Sequence, residues 1–264
     1  VPMTLGPRQG VLVVFRKGGD RQSHIRRLIN IDGEIIFPDE TGDFSRSLPE
    51  AYRGEDGEIH LRSLEAGSYV LGYSDVLSSR VDIEAPAKLV LDGTVGTMTF
   101  EDEPMLGTVN IGGFRNLTGA LDPVVKHYSG VITYRTEADL PEGFIKPGRR
   151  VLISIPAFGS TARLTVNGHT LETIWDPYFK ADITEYVKSG KNELVIVVTN
   201  PWRNRLVGDK AGVPSSQKLW TTSPLQQKHI PPQQIIHEYT LLYPSGISQP
   251  VTIYSEGAEK VVVN

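Results

Sequence analysis

Between residues 149 and 199 the chain sets apolar and polar side chains at alternate positions, and that period of two admits β-strands and little else. In RVLISIPAFGSTARLTVNG, Val151, Ile153 and Ile155, then Leu164 and Val166, mark two half-buried strands. Asn167-Gly168 follows, a dipeptide that accepts positive φ at both central positions of a type I′ turn. Alternation resumes from His169 to Trp175, so a β-hairpin is expected. Asp176-Pro177-Tyr178-Phe179 then signals a chain reversal. Residues 182–190 carry an N-cap candidate, an acid in the first turn, a late lysine and a terminal glycine, which fits one or two helical turns, with Phe179 and Ile183 as a staple. Residues 192–199, NELVIVVT, are almost continuously apolar, as expected of a strand central in its sheet or covered on both faces.

Outside this stretch the same rhythm recurs. Residues 10–16 form a short apolar run that reads as a buried strand, and residues 28–37 a strand-like piece turning at Asp32-Gly33. Strands at 58–63, 67–73 and 79–83 are spaced about ten residues apart, the spacing of a small sandwich. A first β-domain over residues 1–87 is therefore expected, followed by a second over 88–264. The second opens with a strand pair at 89–93 and 95–100 and runs through a long connection at 101–126, of a size that loops with a function have. A strand at 127–137 leads into the core stretch. Beyond Asp209 lies a polar, proline-rich excursion, then a closing strand pair at 239–243 and 250–254 and an edge strand at 260–264. The expected fold is all-β: a small β-sandwich followed by a larger sandwich.

Composition removes several function classes. A formal charge of −4 gives no basic field for a phosphate backbone, so nucleic acid is not an expected partner. No apolar run approaches the roughly 18 residues that would predict a membrane span. With no cysteine there is no disulfide, thiolate nucleophile or cysteine zinc cage. The six histidines show no H-E-x-x-H spacing, no G-x-S-x-G elbow or P-loop occurs, and the acids form no motif for a glycosidase pair. No cofactor is expected, although a structural calcium is compatible with carbonyl and carboxylate ligands. The chain starts on Val1 and almost directly on a strand, so it is expected to be a piece of something longer.

What remains is sugar recognition. Pyranose rings offer C–H faces that stack on aromatics, and hydroxyls that need planar donors and acceptors. Trp175, Tyr178, Trp202 and Trp220, interleaved with Asp176, Arg203, Asn204, Arg205 and Asp209, supply both kinds of group near strand ends. Structural roles compete: Trp202 as core or interdomain packing, and Arg205 with Asp209 as a pair tying down the loop.

The words VNG, WDPYFKADITEYVKSGKNELVIVVTNPW and NRLVGD, in that order, resemble the galactose-binding-like jelly roll of large glycoside hydrolases. They look most like the C-terminal module of family 106 α-L-rhamnosidases. The run from Leu5 to Arg16 resembles the strand that follows the catalytic barrel there, and HYSGVITY resembles another strand of the module. The chain departs from that pattern where Val95-Gly96-Thr97 stands for a tryptophan-containing word and Gly119-Ala120 for a serine–tryptophan pair. The resemblance implies a bacterial, secreted or periplasmic protein. It also implies a parent glycoside hydrolase whose catalytic domain is a partner, and a module that binds carbohydrate without cleaving it. A stand-alone carbohydrate-binding protein and a small glycoside hydrolase are the alternatives.

Overall fold

The computed structural model describes residues 24–39, 41–43, 46–54, 56–74, 78–93, 95–156, 158–217 and 236–262. The expected strand at 10–16 and Trp220 lie outside them. In chain order the strands are β1 (Ile25–Asn30), β2 (Ile35–Phe37), β3 (Glu50–Arg53), β4 (Ile59–Ser63), β5 (Gly67–Tyr73), β6 (Ser78–Ile83), β7 (Ala87–Leu91), β8 (Val95–Phe100) and β9 (Thr108–Gly112). A short helix α1 (Pro123–Lys126) precedes β10 (Gly130–Leu140), β11 (Val151–Ser154), β12 (Thr161–Val166), β13 (His169–Ile174), β14 (Lys180–Asp182) and β15 (Gly190–Asn200). Helix α2 (Arg203–Lys210), β16 (Val251–Ser255) and β17 (Gly257–Lys260) follow. The chain is all-β and divides into two compact units: residues 1–89 with 143–152 and 254–264, and residues 90–142 with 153–253.

In the first unit one sheet runs β2-β1-β5-β6 and another β17-β4-β3. Period-two patterning does the sorting: in β6 exposed and buried residues alternate strictly, and in β5 Tyr69, Leu71 and Tyr73 point inward. With Leu28, Leu61, Val81 and Ile83 they make one apolar core. Beside it the buried carboxylate of Glu256 accepts two hydrogen bonds from Arg150, from Nε at 2.7 Å and from Nη2 at 2.8 Å.

The second unit is built on a six-stranded sheet, β13-β12-β15-β10-β8-β9. β15 is central, as its apolar run predicts, with β12 and β10 antiparallel on either side. Register aligns the inward residues in rows. Leu164, Ile196, Tyr134 and Met98 make one row, and Ile174, Ala162, Val198, Ile132 and Phe100 the next. All of them are buried. A second sheet runs β14-β11-β16-β7 and buries Ala181, Ile153, Ile253 and Leu91. The predicted hairpin is present: Val166 pairs with His169, and Asn167 and Gly168 have φ of 48° and 85°.

Several expectations need correction. β7 and β8 are not a pair, because they belong to different sheets. Residues 101–126 are not one loop: β9 returns against β8, and Asp122 caps α1 by accepting the Val124 N–H. Residues 182–190 hold a single 3-10 turn at Thr184–Tyr186, the lower end of the one or two helical turns expected, with Phe179 half-exposed and Ile183 buried. Residues 239–243 are not a strand. There the backbone is bonded by side chains instead of a neighbouring strand: Asn204 Nδ2 donates to Tyr243 O, Tyr243 N donates to Asn204 Oδ1, and Arg203 Nε donates to Leu241 O. Among the described residues the last strand is β17, which meets the expected 260–264 strand only at Lys260.

Candidate functional site

One end of the six-stranded sheet gathers most of the polar and aromatic residues of interest. The row Ile174, Ala162, Val198, Ile132, Phe100 is the last inward-facing apolar row on that side. Just past it stand Trp175 after β13, Asn200 and Trp202 at the end of β15, Ser129-Gly130 at the start of β10 and Glu101-Asp102-Glu103 after β8. Trp175 and Trp202 follow strands separated by β12, so their backbones leave the sheet about 10 Å apart at ordinary strand spacing.

The floor beneath these loops is fixed by buried amides and hydroxyls. Asn200 Nδ2 donates to Gly130 O at 3.2 Å, while its Oδ1 accepts from Gly246 N at 2.8 Å and Ser245 Oγ at 3.2 Å. Ser129 Oγ accepts from Arg205 N, and Tyr128 Oη donates to Val131 O at 2.7 Å. Burial, with Asp102 and Glu101 nearby, pushes the Tyr128 phenol up to about 12.

Above the floor lies an open depression of about 530 Å³ lined by Glu101, Asp102, Pro104, Trp202, Ser216 and Gln217. A Cβ placed on Gly130 would sit 3.1 Å from Gln217 Nε2, 3.4 Å from Asp102 Oδ2 and 3.4 Å from Tyr128 Oη, so these groups converge over a residue that has no side chain. Gln217 Nε2 donates to Ser129 O at 2.6 Å, and its buried Oε1 has no hydrogen-bond partner among the described residues. Glu101 accepts from Thr133 Oγ1 at 2.6 Å. Glu103, fully buried, accepts from Ser215 Oγ and Ser216 N through Oε2, while Oε1 has no partner. Burial raises its pKa, but the hydrogen bonds from Ser215 and Ser216 outweigh it and hold the carboxyl below the usual range.

The residues expected from sequence fall into two groups. On the loop after β13, Trp175 and Tyr178 are 45% and 47% exposed, whereas Asp176 is buried and shapes the turn by accepting the Tyr178 N–H. After β15, Trp202 is 44% exposed at the lip of the depression. Arg203 lies over the Tyr243 ring at 4.2 Å. Asn204 is buried on the Tyr243 backbone. Arg205, 1% exposed, donates to Asp209 Oδ1 at 2.9 Å and to Val213 O at 2.7 Å. The expected Arg205–Asp209 pair is thus formed, across one turn of α2. Sequence reasoning missed Glu101, Asp102, Ser216 and Gln217. The signal for the first two was three consecutive acids directly after a strand; Ser216 and Gln217 carried none. Among the described residues no three histidines or acids converge as metal ligands.

No family model matches the chain. Its fold matches part of a rhamnosidase from Novosphingobium sp. PP1Y with TM-score 0.54 and 20% identity, over 81% of this chain and 24% of that one. The fold is one that glycoside hydrolases carry. A 135-residue stretch, 51% of this chain, is 27% identical to a protein of Formosa agariphila named "Putative beta-glucuronidase". A Ruminococcus gnavus beta-glucuronidase superposes at TM-score 0.44 and 15% identity, over 64% of this chain and 28% of that one. The chain spans 10% of the length of the Formosa relative and about a quarter of the rhamnosidase. Among the described residues no helix is long and apolar enough to cross a membrane.

Proposed function

We propose that the chain is a non-catalytic carbohydrate-binding and scaffolding region of a larger glycoside hydrolase resembling the family 106 α-L-rhamnosidases. The observation that carries this reading is the half-exposed Trp202 indole beside a depression whose other walls are Asp102, Glu101 and Gln217. A sugar ring stacks on such a face while its hydroxyls meet the carboxylates and the amide. Loops set on a rigid sheet suit binding, and the fixed amides beneath keep them in place before a ligand arrives. The likeness to part of a rhamnosidase supports the scaffolding half of the reading.

Isothermal titration with rhamnose, galactose and plant or algal oligosaccharides tests it. Saturable binding is expected, weakened roughly tenfold in Trp202→Ala, the size of one aromatic contact, with the melting temperature unchanged. Failure to bind any of these sugars overturns the binding role. Release of p-nitrophenol from aryl glycosides by this chain, lost in Asp102→Asn, would make it an enzyme instead.

A further inference from the structure

The depression beside Trp202 has a lopsided hydrogen-bonding inventory. Its lining offers the carboxylates of Glu101 and Asp102, and beside them the Gln217 carbonyl oxygen is closed to solvent and has no partner among the described residues. The Gln217 amide nitrogen is already taken by Ser129 O. Against these acceptors the lining side chains bring two donors, the Ser216 hydroxyl and the Trp202 indole N–H. Among the described residues no lysine or arginine lines it. The two guanidiniums nearest in sequence to Trp202 are engaged elsewhere, Arg203 over Tyr243 and at Leu241 O, Arg205 with Asp209 and Val213 O. Behind the lining, the buried carboxylate of Glu103 is tied to the Ser216 backbone and adds a third acid to the same loop. Its depressed pKa keeps it ionised at neutral pH.

A ligand filling such a place has to bring donors and must not bring negative charge. An anionic ring would set its carboxylate or sulfate against Glu101 and Asp102, and no described residue of the lining brings a cation to meet it, whereas sugar hydroxyls donate to both carboxylates. An ammonium group donates three hydrogen bonds and is attracted besides. We infer that the Trp202 depression selects non-anionic glycosyl units, ranking an amino sugar above its neutral counterpart and rejecting uronic acids. This rests on the carbohydrate-binding reading of the same site and adds the charge class of its ligand.

The test uses the whole chain and two matched series of methyl glycosides: glucosamine, glucose and glucuronic acid, then galactosamine, galactose and galacturonic acid. Each series changes charge while keeping ring configuration. Affinities from calorimetry, with amide chemical-shift mapping around Gly130 and Gln217, are expected to fall from amino to neutral sugar. The uronate should be weaker than the neutral glycoside by about tenfold or more at low salt, one charge against two carboxylates. Sodium chloride near 1 M should narrow the gap by screening. The isosteric double variant Glu101→Gln/Asp102→Asn, checked for folding by its melting curve, should abolish the ranking, bringing the amino, neutral and uronate glycosides of each series to within about twofold of one another. Uronates binding as well as neutral glycosides would overturn the inference and leave the binding function standing. Calcium chloride alone reproducing the shifts at Gln217 would overturn it too, by making the acceptor-rich pocket a cation site. Silence from all six glycosides and rhamnose would remove the binding function, and this inference with it.

Discussion

Arg205 shows how a single side chain can be decisive. A guanidinium buried to 1% exposure is tolerable because Asp209 offsets its charge and Asp209 and the Val213 carbonyl accept its hydrogen bonds. Asp209→Ala should cost about 2 kcal/mol in urea unfolding, since it strands the charge, with the cost held below that of a fully buried pair by the half-exposed Asp209 position. The pairing was readable in advance because four residues is one helical turn. That Asn204 beside it would bond the Tyr243 backbone was not readable, because its partner lies thirty-nine residues away and nothing local announces the contact. Asn192 is a second such residue. Its Nδ2 donates to Lys188 O and Gly190 O, and its Oδ1 accepts from Lys188 N and Asn167 Nδ2, so nearly all of its capacity is used in a buried place. Asn192→Ala should lower stability by about 3 kcal/mol, measured the same way, as several buried backbone groups lose their partners together.

At the scale of elements, the hairpin β12–β13 was predictable from two residues and is sensitive at both. Gly168 stands at φ 85°, so Gly168→Ala should cost about 1 kcal/mol in equilibrium unfolding through backbone strain alone. β8 carries a different constraint. A Cβ on Gly96 would run into the backbone oxygen of Arg135 on β10 and lie 3.1 Å from Thr136 Cβ. Gly96→Ala should therefore shift or loosen the β8–β10 pairing and cost about 2 kcal/mol, visible as faster amide exchange at residues 97–99. Strands whose alternation serves a sheet were legible because the period of two is itself the packing rule: β4, β5, β6, β12, β13 and β15 all stand where the pattern put them. The stretch Tyr239, Leu241, Tyr243 alternates equally well yet is exposed on all three, since side chains of α2 claim its backbone before any strand does. Periodicity states that a strand is affordable; it does not say whether a neighbouring strand is available.

For the whole molecule, ionisation sets the range of pH over which the fold holds. Asp39, Asp56 and Asp82 are held below the usual carboxylate range by hydrogen bonds, chiefly from the Thr41 backbone, the Glu58 backbone and the Ser68 hydroxyl respectively, and Glu103 joins them. A folded pKa below the unfolded one contributes stability above about pH 4, lost as pH falls further. The tyrosines act at the other end. Burial pushes Tyr128 up to about 12 and raises Tyr134 as well, so their share is intact below about pH 10 and lost as pH climbs through the folded values. Unfolding free energy plotted against pH should be flat between these limits and decline on both sides. Glu103→Gln should soften the acid limb and Tyr128→Phe the alkaline one. One architectural fact reaches further than any of these numbers. The central strand β15 is fastened by a buried amide at each end, Asn192 to the turn before it and Asn200 to Gly130 and the Ser245-Gly246 segment. A rung held at both ends tolerates a change of side chain but not a change of length: one residue added or removed between the two asparagines must unfasten one of them and turn the inward rows outward.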